Sequence, residues 1–122
     1  MTAAPEVLNS ATRITAATSL LDSGPSGAAH PRAAVFLLRR ALEAGLDSYI
    51  CAHRPALARC RTETKVVWLA HHLDARLAGR LAAVWHNLSG ACHYHQAALP
   101  PTVSELLGWR DEVAFVLRGL RS

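Results

Sequence analysis

Lysine is almost missing from this chain. Lys65 stands alone, and apart from seven histidines every other basic side chain is arginine. No apolar run approaches the ~20 residues that a membrane-spanning helix needs, so no membrane partner is expected. The opening MTAAPEVLNSATRIT lacks a basic region followed by an apolar core, so no secretory signal is read and the cytoplasm is the expected location. Cys51, Cys60 and Cys92 are odd in number and form no C-x-x-C pair, which excludes a disulfide framework and points to a reducing compartment. There is no Gly-rich phosphate loop, no H-E-x-x-H, no internal repeat and no low-complexity tract. No cofactor is therefore expected.

What remains is ordinary globular composition, 51% hydrophobic and 18% charged, in a length of 122 residues that suits one domain over positions 1–122. The net charge of +4 tolerates an anionic partner without requiring one. The histidines add positive charge below about pH 6.5.

Apolar spacing predicts helices throughout. Residues 5–22 form a first helix with Val7, Ala11, Ile14 and Leu21 on one side, followed by a loop at SGPSG. Residues 31–52 form a second, opened by Pro31 and striped by Val35, Leu38, Leu42, Leu46, Tyr49 and Ile50. Arg39 and Arg40 stand four and three residues before Glu43, the spacing of helical ion pairs. Arg54-Pro55 ends that helix. Thr62 caps a short third helix through Val66, Val67, Trp68 and Leu69 to His71-His72-Leu73. Thr102-Val103-Ser104-Glu105 is a capping box that opens the last helix, striped by Leu106, Trp109, Val113, Val116 and Leu120. The expected fold is all-α, an antiparallel bundle of four main helices plus one short helix.

Residues 74–96, DARLAGRLAAVWHNLSGACHYHQ, carry the unusual chemistry, and the chain is expected to pack around them. Asp74 is the N-cap, and Pro100-Pro101 stop the helix. Leu77, Leu81, Val84, Trp85, Leu88, Cys92 and His95 face the core. Gly79, Ala82, Ala83, His86, Gly90 and His93 lie opposite, and Arg76, Arg80, Asn87 and Tyr94 form a polar flank. Such a small-residue back invites cover by the first helix or by a second copy, so a homodimer is expected. A metal site built on Cys92, His93 and His95 is disfavoured, because His93 and His95 point about 160° apart on a helix. His95 is either a half-buried ring at a helix C-terminus or a proton-transfer group acting on RNA.

The second helix, RAAVFLLRRALEAGLDSY, and the later helix ending LSGACHYH resemble the HEPN superfamily of small α-helical bundles across residues 31–120. Many HEPN proteins are dimeric, metal-independent ribonucleases of toxin–antitoxin or defence systems. Their site is built from an Arg-x(4–6)-His motif on each subunit. The resemblance implies RNA or a nucleotide as ligand and an antitoxin-like partner protein. It casts His95 or His93 as the base, Asn87 and Tyr94 as phosphate-orienting groups, and Arg39, Arg40 or Arg80 as the source of positive charge. The chain departs from the pattern where the motif's arginine belongs. Positions 86–90 read His86, Asn87, Leu88, Ser89 and Gly90. The alternative implied by that departure is a non-catalytic dimerisation or partner-binding bundle.

Overall fold

The computed structural model describes residues 5–22, 30–93 and 99–121, and these are all-helical. The helices are α1 (Pro5–Asp22), α2 (Pro31–His53), α3 (Thr62–His72), α4 (Ala75–His93) and α5 (Val103–Arg121), with a 3₁₀ turn at Pro55–Leu57. The SGPSG loop lies outside the described residues.

Local chemistry sets the ends. Pro31 occupies the first turn of α2, where its missing N–H costs nothing. Arg54 is forced out of helical geometry by Pro55 (φ −148°, ψ 68°), while its N–H still closes on the Ile50 carbonyl at 2.7 Å. Asp74 caps α4, its Oδ1 accepting from the Leu77 N–H at 3.0 Å. At α5 the capping box is complete in both directions: Thr102 N–H to Glu105 Oε1 at 3.0 Å, and Glu105 N–H to Thr102 Oγ1 at 3.1 Å. Thr62 differs from expectation. It is the first helical residue of α3, and its hydroxyl donates to Glu43 Oε2 at 3.3 Å instead of capping its own helix.

The helix at the centre is α2, not α4. It packs on every other element, and Ala34, Val35, Leu38, Ala41, Leu42, Leu46 and Ile50 are all buried. The α4 stripe is as expected in Leu77, Leu81, Val84, Trp85 and Leu88. Two stripes shift. On α1 the buried positions are Ser10 and Ala17, while Ala11 is exposed. With Ala34 and Ala41 also fully buried, these small residues bring α1 and α2 close enough for Ser10 Oγ to donate to the Ala41 carbonyl at 2.9 Å. Val7 and Leu21 lie outside the described side chains. On α3, Val67 turns to solvent and Lys65 is buried in its place, only 5% exposed, with its Nζ 2.7 Å from Asp47 Oδ1.

Pairings fix the directions. Arg80 meets Glu112, and Leu77 meets Gly119, so α4 and α5 are antiparallel. Leu117 of α5 packs over Gly45 of α2, so closely that a Cβ there would lie 2.0 Å from its Cδ2. The N-termini of α2 and α5 thus share one end of the bundle with the C-terminus of α4. Among the described residues, no helix is long and apolar enough to cross a membrane.

Candidate functional site

At that shared end a cleft of about 430 Å³ opens between α2, α4 and the approach to α5. Its chemistry is carried by Arg32 in the first turn of α2, His86 and Asn87 on α4, and Glu105 and Trp109 on α5. Each wall has a local cause. Helical spacing turns His86, Asn87, Gly90 and Ala91 toward one side of α4, and the last two are small enough to leave space. Pro100 and Pro101 form a stiff rim. The capping box pins Glu105, with its carboxylate committed to the Thr102 N–H.

This arrangement offers an imidazole able to give or take a proton, an amide, and an arginine fork suited to phosphate oxygens. Trp109 adds a half-buried aromatic body. Arg32 makes no ion pair with any described residue, so its charge is available to a ligand.

The expected site residues scatter differently. Asn87 lines the cleft. His93 is exposed in the last turn of α4, beyond the cleft wall. Tyr94 and His95 lie outside the described residues. Arg39 sits over the Trp85 ring at 5.1 Å from its centroid, with Nε 3.9 Å from Glu43. Arg40 lies 3.8 Å from the same carboxylate. Arg80 forks onto Glu112, with Nε at 3.0 Å from Oε1, and its guanidinium lies 3.4 Å from the Phe115 ring centroid. The hydrogen bond from Arg80 holds the Glu112 carboxyl below its ordinary range, and the same bond raises Arg80. All three arginines named from the sequence therefore lie near a carboxylate, Arg39 and Arg80 partly buried and Arg40 on the exposed side of α2. Arg32 was not foreseen: it follows Pro31 with no periodic signal, and only the packing of α2 against α4 brings it into the same cleft as Asn87.

Among the described residues no group of three or more His, Cys, Asp or Glu side chains could hold a metal ion. No family model, curated protein or solved structure matches the chain.

Proposed function

We propose that the chain is a HEPN-like RNA-interacting domain whose cleft between α2, α4 and α5 holds a phosphodiester and supports metal-independent cleavage beside a 2′-hydroxyl. The observation that carries this is the meeting of Arg32, His86 and Asn87 in one cleft, which supplies a cation from α2 where the motif's arginine is missing from α4. His86 takes the 2′-hydroxyl proton, the 2′-oxygen attacks phosphorus, and Arg32 neutralises the non-bridging oxygens. The P–O5′ bond breaks, leaving a 2′,3′-cyclic phosphate, and the departing 5′-oxygen needs a proton. On one helix His86 and His93 are separated by about 10 Å of rise, too far to serve the same phosphodiester. A second copy supplies that proton in this reading. The α4 face bearing Gly79, Ala82, Ala83 and His86 is solvent-exposed, with α1 packed elsewhere, and so is open to one. A toxin–antitoxin or defence setting in the cytoplasm, with an antitoxin-like partner, is what the HEPN resemblance implies.

The test is cleavage of labelled RNA in excess chelator by the wild type and by His86→Ala, Arg32→Ala, His93→Ala and His95→Ala. Loss of about 100-fold or more with His86→Ala, together with loss in Arg32→Ala, supports the cleft. Loss confined to His93→Ala or His95→Ala moves the base to that histidine. A wild type that cleaves nothing removes the enzyme and leaves the second reading, a dimerisation module working through the open face of α4. Sedimentation at several protein concentrations tests that reading directly.

A further inference from the structure

The last turns of α2, α3 and α5 come together at the end of the bundle opposite the cleft. Two ring stacks stand there: Tyr49 on His53 at 3.9 Å and 14°, and Trp68 on His72 at 4.3 Å and 18°. Tyr49 also meets His72 edge-on at 6.3 Å, so the four rings form one cluster. His53 Nδ1 lies 3.0 Å from the Tyr49 carbonyl, and the neighbouring His71 Nδ1 lies 2.9 Å from that of Val67. A carbonyl can only accept, so each Nδ1 carries the proton and each Nε2 is left for an outside partner.

His53, His71 and His72 are exposed. Arg54 follows His53 directly, and Arg121 shares with His53 and Tyr49 the lining of a pocket of about 170 Å³. Neither arginine has an ion pair among the described residues. Of the nearby acids, Asp47 is bound to Lys65 and Asp74 caps α4. Compensation of the helix dipoles explains a basic residue in each last turn. It does not explain two aromatic bodies half-exposed beneath imidazole rings, with two arginines alongside that have no ion pair among the described residues.

We infer that this end is a stacking site for single-stranded RNA, with bases on the outward faces of His53 and His72 and backbone phosphates on Arg54 and Arg121. It rests on the RNA reading of the cleft for its choice of ligand and uses none of the cleft's residues. Arg32 and Tyr49 are about 26 Å apart along α2, so a mononucleotide in the cleft cannot reach both.

The experiment is a fluorescence-anisotropy titration of a short labelled oligoadenylate with the full chain, comparing wild type with His53→Ala, His72→Ala, His72→Phe, Arg54→Ala and Arg121→Ala. Each His→Ala change is expected to weaken binding by at least about fivefold. His72→Phe keeps a plane for stacking and stays within about twofold of wild type, which also controls for lost packing on Trp68. Arg54→Ala and Arg121→Ala each lower the salt slope by about 0.7. Wild type that does not bind, affinity unchanged in both His→Ala variants, or duplex RNA bound as tightly as single strand overturns the inference. A protein that cleaves no RNA yet binds oligoadenylate through His53 and His72 removes the catalytic cleft and leaves this site standing.

Discussion

The two ends of the bundle hold the same kinds of side chain and use them in opposite ways. At the far end each histidine lies four residues after its aromatic partner, Tyr49 with His53 and Trp68 with His72, so every stack is made within one helix. At the cleft, Arg32, His86, Asn87 and Trp109 come from three helices. None of these four makes a hydrogen bond to another of them among the described residues. An arrangement made inside one helix survives small shifts of the bundle; one assembled across helices depends on the packing that joins them. The cleft is therefore the fragile end, and the stacks are the robust one.

The largest break in that comparison is expected where both ends meet, in the middle of α2. Leu38→Ala removes a fully buried side chain and should cost about 2–5 kcal/mol, loosening both ends together in a denaturant titration. Gly45→Ala acts nearer the stacked end. Its new Cβ runs into Leu117, so overpacking exceeds the gain in helix propensity and the net loss should be about 1–2 kcal/mol.

Thr102→Ala sharpens the contrast from the other side. Removing the cap hydroxyl should cost about 1 kcal/mol, and hydrogen exchange should speed up in the first turn of α5, which borders the cleft, while the α3 amides stay protected. Gly79→Ala is the opposite case to Gly45→Ala. A Cβ there meets nothing within 4 Å, so helix propensity alone should raise stability by about 1 kcal/mol, read as a higher melting temperature.

The smallest expected effect is electrostatic. Glu112 keeps its charge to lower pH when folded than when unfolded, because Arg80 donates to it. Its contribution is therefore complete above the ordinary glutamate value of about 4.3 and is lost as pH falls through the lower folded value. Glu112→Gln should flatten that acid limb of the stability curve. Unchanged acid sensitivity in the variant would show that the pair contributes nothing.

Most helix boundaries were legible because they are local events. Pro31, Arg54-Pro55, Asp74 and the Thr102–Glu105 box act within one turn of their own position, and the stripes of α2, α4 and α5 repeat at helical spacing. Thr62 misled because a side chain on another helix, Glu43, competed for its hydroxyl. On α1 the small residues that make close contact carry too little hydropathy to mark a face, so the stripe took in the exposed Ala11 and missed Ser10 and Ala17, while Ile14 does pack against the core.

Periodicity and capping residues alone specify an all-α chain, the capped starts of α4 and α5, and the apolar face of α4. The Arg39 and Arg40 pairs with Glu43 belong to the local pattern too; it took the packing of helices to make α2 the hub, to join Arg80 to Glu112, and to bring Arg32 into one cleft with His86 and Asn87. The physical reason is range. Caps and stripes come from residues three or four apart, whose geometry the helix itself dictates. Whether an arginine meets a glutamate or an open cleft depends on which helix faces pack, and that choice is made by burial summed over the whole core.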